Sequence, residues 1–411
     1  MRAGICLIIV LILRFNAAFS QISDSLNTME LESAGFDLAT PDSIIAEGGD
    51  TEEMADIAST EAAAPAPIDP SAIALLVCRP NNYAYDGDKR EMGIAAVCEA
   101  LLYYKLGSVS RLALIERENL YELINTYRDF GARITRQRYS KLAGSLLATH
   151  LLYSEYESLS ERRGKLYIQI VSTDDLSKIF RTQIEVTWGK LNETMTDAVL
   201  KILYALNYDT ADIPPQAITE DPLGGGARKE QRLAEILLEE YGGERETFFR
   251  LGEECKRLGR EAESPLAAFT SAMLFARAGA FENALDAMGE LAEKNGDSYT
   301  RLWVLAARYA HKSGQLQLAE RYIEHAASGR SLRSDYLRER GRILERSGNL
   351  SAAYDVYREL LDRGTASLDI FIRLAVICHT LRRGEECRQY MGAIVGLTSS
   401  VNTGAFCDKI R

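Results

Sequence analysis

The sequence predicts a multidomain protein, in which a mixed α/β sheet domain is followed by an all-α solenoid of helical hairpins. Residues 72–212 mix helical and alternating apolar patterns, whereas residues 264–397 show only helical ones. In the second region a glycine is followed at plus two by an apolar residue and at plus five by alanine. This pattern recurs at Gly279, Gly314 and Gly348, in steps of 35 and 34 residues. Such a period indicates a stack of similar hairpins.

Residues 1–20 are predicted to be a secretory signal peptide. Arg2 precedes an apolar run from Ala3 to Leu13, and Ala18-Phe19-Ser20 has the small-x-small form of a cleavage site. The run is too short to span a bilayer as a helix, and no later stretch is apolar enough to do so. The alternative is that the segment is retained as an anchor. Either way, we expect an exported protein.

Residues 21–71 contain twelve acidic residues and no lysine or arginine. Low hydrophobicity with unbalanced charge predicts a disordered acidic tether, because such a segment cannot bury enough surface to offset the entropy of ordering. The rest of the chain after the signal peptide has 46 basic and 47 acidic residues. The net charge of −11 therefore comes from the tether and does not indicate the partners of the folded part.

The α/β domain, residues 72–212, is predicted from changes of period along the chain. Its elements follow the order β-α-β-α-α-β-β-β-α, which makes a mixed sheet with helices packed on it. They are a strand at Ala72–Val77, a helix at Lys89–Leu106, a strand at Leu112–Ile115, helical segments from Glu116 to Leu147, strands at His150–Leu159, Lys165–Thr173 and Ile179–Thr187, and a helix at Leu191–Leu206.

One short motif in this domain carries a family resemblance. The run Ala113-Leu-Ile-Glu-Arg-Glu-Asn-Leu120 precedes a small-residue helix and a strand-turn-strand meander. This resembles the periplasmic α/β domain shared by curli-secretion-channel proteins, flagellar outer-membrane accessory proteins and the amino-terminal domain of TolB. The resemblance implies a structural role for Glu116 and Arg117, as helix cap and local ion pair. The chain lacks the long barrel hairpins of the secretion channel, so pore formation is not expected.

Residues 213–227 are predicted to be a linker, because they combine Pro214-Pro215 with a run of three glycines. A phosphate-binding loop would need Gly-Lys-Ser/Thr behind a strand, and neither is present. Two amphipathic helices in residues 228–263 lack the repeat pattern. We expect them to cap the array, since an end repeat has no neighbour to cover one face.

The spacing of the glycines is typical of tetratricopeptide repeats, and residues 264–397 resemble that family. The predicted structural positions are Gly279, Ala284, Gly314, Ala319, Gly348 and Ala353. The alanines are expected where the two helices of a hairpin come closest. A fourth, weaker copy centres on Gly384, and residues 398–411 form a tail.

The family resemblance also implies which side chains line the concave groove. With the glycine at position 15 of each repeat, these are Phe269, Met273, Arg277, Arg301, Val304, Arg308, His311, Lys312, Arg338, Arg342, Arg346, Leu374 and Arg382. The middle of this groove is basic and its ends are apolar. It is predicted to bind an acidic, partly apolar segment, and the tether 21–71 is one candidate. The alternative is a solvated, charged helix face.

The sequence offers no recognisable catalytic chemistry. Its four histidines lack metal-ligand spacing, and no nucleophile elbow or dinucleotide fingerprint occurs. Asp174 and Asp175 are paired carboxylates in a turn, where aspartate is favoured for backbone reasons. The cysteines that remain after the signal peptide are expected to be buried free thiols; the alternative is a disulfide, for which Cys378 and Cys387 are the first pair to consider. We therefore expect no metal, no cofactor and no enzyme activity.

These observations predict a protein-binding scaffold of the bacterial cell envelope, in the periplasm or associated with the outer membrane. The alternative is an oligomeric accessory of an outer-membrane secretion or motility complex, in which the α/β domain supplies the contacts of a homo-oligomer. A hydrolase with an unrecognised site is a third, weaker hypothesis. Nucleic-acid binding is not expected, because the basic residues of the repeats are confined to one groove.

Overall fold

The computed structural model describes the chain in eleven segments. They are residues 74–77, 92–109, 112–115, 119–120, 123–124, 136–208, 219–240, 244–296, 299–327, 333–365 and 367–398. The expected signal peptide and tether lie outside these segments, as do Glu116, Arg117, Pro214-Pro215 and the expected tail beyond Thr398. The two structural roles expected for Glu116 and Arg117 therefore stay predictions.

In the described segments, five strands and three longer helices build the amino-terminal domain. They are β1 (Ala74–Val77), α1 (Gly93–Gly107), β2 (Ala113–Leu114), α2 (Arg136–Ser145), β3 (His150–Ser160), β4 (Arg163–Ser172), β5 (Lys178–Thr187) and α3 (Leu191–Ala205). The sheet order is β2-β1-β3-β4-β5, with β1 parallel to both β2 and β3 and the last three strands antiparallel. The sheet is therefore mixed, and the meander lies at one side of it.

The core of this domain lies between one face of the sheet and two helices. Leu166, Ile168 and Ile170 alternate along β4 and are almost fully buried, because side chains two residues apart share a face of a strand. α1 packs against β2, β3 and β4, and α3 packs against β5 and α1. Most of α1 is buried, including the lysine Lys105, since helices of the second domain cover its outer side.

The second domain is all helical. Its elements are α4 (Ala227–Glu239), α5 (Arg245–Ala262), α6 (Pro265–Arg277), α7 (Phe281–Asn295), α8 (Arg301–Lys312), α9 (Leu316–Ala326), α10 (Arg333–Arg346), α11 (Leu350–Asp362), α12 (Leu368–Thr380) and α13 (Gly384–Thr398). Four hairpins follow one another: α6 with α7, α8 with α9, α10 with α11, and α12 with α13. Each also packs on the next, which gives a helical-repeat array.

The turns inside the hairpins share one backbone geometry. Gly279, Gly314 and Gly348 have φ of 74°, 82° and 79°, in the left-handed region that favours glycine. Ala284, Ala319 and Ala353 are fully buried, at 0% exposure, in the helices that follow.

The fourth turn differs from the sequence prediction. Its left-handed residue is Arg382, with φ of 59°, and Arg383 N donates to Cys378 O at 2.8 Å. The same bond is made after Gly314, from Gln315 N to Ala310 O at 2.8 Å. Arg382 therefore occupies the glycine position, and the prediction that this repeat centres on Gly384 was wrong by two residues. The glycine pattern gave the wrong register, because an arginine, and not a glycine, occupies the left-handed position of this turn.

The two domains are joined by contacts on both sides of the linker. Lys105 Nζ on α1 donates to Glu220 O at 3.0 Å, and Ser264 Oγ, before α6, donates to Pro222 O at 2.7 Å. Glu230 on α4 accepts hydrogen bonds from the backbone N–H groups of Gly189 and Leu191, at the start of α3. The described part of the linker, 219–227, is thus bonded to both domains and fixes their relative position.

No helix in the described segments combines the length and the apolar character needed to cross a bilayer.

Candidate functional site

The predicted groove is the face formed by the first helices of the hairpins, α6, α8, α10 and α12. We call this face the inner face. Arg301, Arg308 and Arg338 lie on it as the register predicts, but only 1%, 3% and 3% of them is exposed. The α/β domain of the same chain packs against the inner face, where Tyr103 on α1 covers Arg301 and Asn119 contacts Arg308; Arg338 is buried beside Asp369 of the array. The groove is therefore filled at its centre.

Aromatic side chains form the first part of this contact. The guanidinium of Arg301 lies over the ring of Tyr103 on α1, 4.2 Å from its centroid, and also over Phe269 on α6, at 5.6 Å. Tyr104 meets the edges of both Phe269 and Tyr299, with ring centroids 5.7 Å and 5.5 Å apart. A guanidinium is weakly hydrated and stacks well on aromatic faces, and Arg301 Nη1 also donates to Tyr299 Oη at 3.0 Å, so both kinds of contact stabilise the buried arginine.

Asn119 forms the second part. Its amide oxygen accepts a hydrogen bond from Arg308 Nη2 at 3.1 Å, and its amide nitrogen donates to Asp335 Oδ1. One side chain of the α/β domain thus bridges a cation on α8 and an anion on α10. Asn119 is only 2% exposed, so both bonds form away from water, where they are worth more than at a surface.

Glu339 on α10 is the anion at the centre of the basic cluster. It is fully buried, and its carboxylate lies 3.1 Å from His311 Nδ1, 3.3 Å from Arg308 Nε and 3.6 Å from Arg342 Nη1. Burial alone would raise the pKa of Glu339, but the His311 hydrogen bond and the two guanidinium charges hold it well below its usual range. Glu339 therefore offsets the charges of Arg308 and Arg342 within the array.

A second acidic pair continues the network toward α12. Arg338 pairs with Asp369, which also accepts a hydrogen bond from Ser367 Oγ at 2.6 Å. Arg373 Nη1 lies 2.8 Å from Glu345 Oε2, which accepts from Tyr357 Oη at 3.1 Å. Burial opposes ionisation of Asp369, yet the charge of Arg338 lowers its pKa.

Asp369 was missed by the sequence reasoning because of the error in the fourth repeat. With Arg382 in the glycine position, the inner-face positions of this repeat move back by two residues. Asp369 then takes the place that Asp335 holds in the third repeat. The signal that could have found it is the even step of 34 residues from Gly314 to Gly348 to Arg382. Leu374 consequently lies in the core, at 0% exposure, rather than in a groove.

The structure therefore corrects the expectation of an open groove. The predicted groove residues that are buried are Phe269, Arg301, Val304, Arg308, Arg338 and Leu374. Those that are half-buried are Met273, Arg277, His311, Lys312 and Arg342. Arg346 and Arg382 remain exposed, near the turns of their hairpins. Tyr103 covers Arg301 and Asn119 contacts Arg308, so these two arginines are not exposed to an acidic segment.

Comparison with protein-family models and with curated proteins gives no match. Among solved structures, the chain is similar to a monomeric mutant of IFIT1 with m7Gppp-AAAA, at 17% identity and a TM-score of 0.31. The match covers 49% of this chain and 46% of that one, so the chain spans about half the length of its match.

The other candidate residues are engaged structurally. Asp175 Oδ1 accepts from Ser177 N at 2.9 Å, which closes the turn between β4 and β5. Cys378 and Cys387 are free thiols, and burial raises the pKa of both. In the described segments, no cluster of three or more His, Cys, Asp or Glu side chains is suited to hold a metal ion.

Proposed function

We propose that this chain is a non-catalytic protein-binding scaffold of the bacterial cell envelope. The observation that carries the proposal is the closure of the inner face on the chain's own α/β domain, through Tyr103 and Asn119. A helical-repeat array whose groove is filled in this way can hold a second domain in a fixed orientation. The two domains then offer their outer surfaces to partners.

The outer surface of the array is suited to this role. The second helices of the hairpins bear exposed polar residues on the side away from the inner face, among them Arg321 and Glu324 on α9 and Asp355 and Arg358 on α11. Both signs of charge alternate there, which favours selective rather than general electrostatic attraction. We therefore place partner binding on this surface and not on the basic centre of the groove.

The envelope location and the lack of catalysis rest on the sequence. The apolar run from Ala3 to Leu13, with its cleavage site, favours export. No motif for nucleophilic, metal or cofactor chemistry occurs. The acidic tether 21–71 remains a candidate ligand only for exposed cations such as Arg346 and Arg382, at the turns of the third and fourth hairpins.

Site-specific photo-crosslinking in the native host tests the proposal. A photoreactive residue at Arg321 or Asp355 samples the outer surface, and one at Arg382 samples the rim of the groove. We expect envelope proteins to be crosslinked from the first two positions. Crosslinks from Arg382 alone would return partner binding to the groove, and a chain found only in the cytoplasmic fraction would overturn the envelope assignment.

A further inference from the structure

Within the described segments, β5 lies at one edge of the sheet and pairs only with β4. It runs for ten residues, Lys178–Thr187, with β4 along one side and α3 beneath it, and no other element of the described segments packs extensively on it. Proteins usually protect such edges with prolines, short strands or a covering segment, because unpaired backbone groups invite another strand. β5 contains no proline, and Lys178 is its single lysine, at the very start.

The sequence of β5 is complementary to itself in the antiparallel sense. A two-fold axis perpendicular to the sheet at Gln183 would place Arg181 of one copy opposite Glu185 of the other, twice. On the opposite face, the same register pairs Phe180 with Val186 and Thr182 with Ile184. Charged residues would then meet on one face of the joined strands, and mostly apolar residues on the face that packs on α3.

The neighbouring registers lack this match. Moving the axis by one residue along the strand sets Arg181 opposite Gln183 or Thr187, and Glu185 opposite Ile179 or Gln183. Arg181 and Glu185 are both exposed, and neither forms an ion pair within the described segments. Lys165 lies opposite Glu185 on β4, but its Nζ is 4.0 Å from Glu157 instead. Both charges are thus available to a second copy.

Exposed apolar side chains lie on the helix that supports this strand. On α3, Leu200 is 41% exposed and Tyr204 is 82% exposed, although the opposite face of the helix is buried. An axis perpendicular to the sheet keeps the two α3 helices on the same face of the joined sheet. The α3 helix and sheet of a second copy could therefore cover Leu200 and Tyr204.

We propose that two copies of this chain join through β5, as an antiparallel and two-fold symmetric pair centred on Gln183. The joined sheet has ten strands, and Arg181 pairs with Glu185 of the other copy at both ends of the seam. The partner is a second copy rather than an unrelated strand, because the charge pattern of β5 matches its own reverse.

Charge reversal with rescue tests the proposal on the full chain. Light scattering coupled to size-exclusion chromatography should give twice the chain mass for the unaltered protein. Arg181→Glu or Glu185→Arg alone places like charges opposite each other twice, and should raise the dimer dissociation constant about tenfold. The two changes together restore both attractions and should return the constant to its original value.

A cysteine crosslink tests the register separately. Gln183→Cys places two thiols opposite each other at the axis, so that mild oxidation should yield a covalent dimer. The control Arg181→Cys has no thiol opposite it and should yield no more dimer than the unaltered chain. The proposal would be overturned by a chain that is monomeric at all concentrations or that forms a larger ring. It would also be overturned by a dimer whose dissociation constant is unchanged by both charge reversals.

Discussion

Glu339 is the residue on which the buried charges of the inner face depend. Its carboxylate is shared by His311, Arg308 and Arg342, all of which are at most partly exposed. A buried ion pair adds little to stability compared with apolar residues of the same shape, but removing one member leaves its partners buried and uncompensated. The network is therefore sensitive to the loss of this single carboxylate.

Glu339→Gln should lower the free energy of unfolding by about 3 to 5 kcal/mol at neutral pH. The folded-state pKa of Glu339 lies below the usual value of about 4.5, so its contribution is present above pH 4.5 and is lost as the pH falls further. The difference in the free energy of unfolding between the unaltered protein and Glu339→Gln should therefore become smaller in acid. Urea unfolding at pH 7 and pH 3.5 measures it. Glu385→Gln, on an exposed face of α13, is the matched control and should change little.

Lys105 has the opposite effect on stability to Glu339, because its charged form destabilises the fold. It is 1% exposed, and burial lowers its pKa to about 8, although the nearby carboxylates of Asp221 and Glu220 favour its charge. Because the folded state disfavours protonation, Lys105 destabilises the fold below about pH 8, and this penalty disappears as the pH approaches 10.5.

Lys105→Met should therefore stabilise the protein at pH 7, by up to about 3 kcal/mol. The advantage should shrink between pH 8 and pH 10.5, since the unaltered lysine becomes neutral in the folded state over that range. Buried thiols also titrate with rising pH, but they do so in the unaltered protein and in Lys105→Met alike. Their effect therefore cancels in the difference between the two free energies of unfolding. Denaturant unfolding of the pair across this range measures the effect. A difference that stays constant with pH would show that Lys105 is not desolvated.

At the scale of the elements, the hairpin turn is the unit that sets the register of each repeat. Three turns use glycine in the left-handed conformation, whereas the fourth uses Arg382 at φ 59°. A side chain in that region costs on the order of 1 kcal/mol, because Cβ crowds the following carbonyl. The fourth turn is thus strained relative to the others, and the inner face of α12 depends on it for its alignment.

Arg382→Gly should raise the melting temperature by a few degrees, corresponding to at most about 1 kcal/mol, since the relief of strain exceeds the added flexibility of the unfolded chain. The control is Arg346→Gly, the same change in an exposed residue near the end of α10. There glycine should instead cost about 1 kcal/mol, because the helix loses a good helix former. Differential scanning calorimetry compares them. Destabilisation by both changes would argue against a left-handed Arg382.

The sequence revealed the elements better than it revealed the site. Periodicity and turn residues located the meander, its closing helix and the hairpins, because these follow from local spacing. The error at Gly384 arose where an arginine replaced the expected glycine. The burial of Arg301 and Arg308 was not predictable, since a helical period shows which face a residue lies on but not what covers that face. Tyr103 and Asn119, which cover it, lie about 200 residues earlier in the chain.

At the scale of the whole molecule, the position of the α/β domain on the array depends on close approach at the end of α1. Gly107 ends this helix, and a Cβ added there would lie 2.2 Å from Tyr299 Oη and 2.5 Å from Arg301 Nη1. Neither atom can retreat easily, because Tyr104 packs against the Tyr299 ring and Tyr103 lies under the Arg301 guanidinium. Glycine at this position lets α1 come close to the inner face.

Gly107→Ala should therefore loosen the α/β domain from the array, although alanine is otherwise the better helix residue. We expect a lower melting temperature and faster hydrogen exchange in the peptides of α1, α8 and α10. Gly144→Ala is the matched control: Gly144 also lies in a helix of the α/β domain, but nothing lies within 4 Å of its added Cβ. It should raise the melting temperature, with no change in exchange at the inner face. If Gly107→Ala behaves like this control, then the inner face is not closed by α1, and the groove is free to bind a partner.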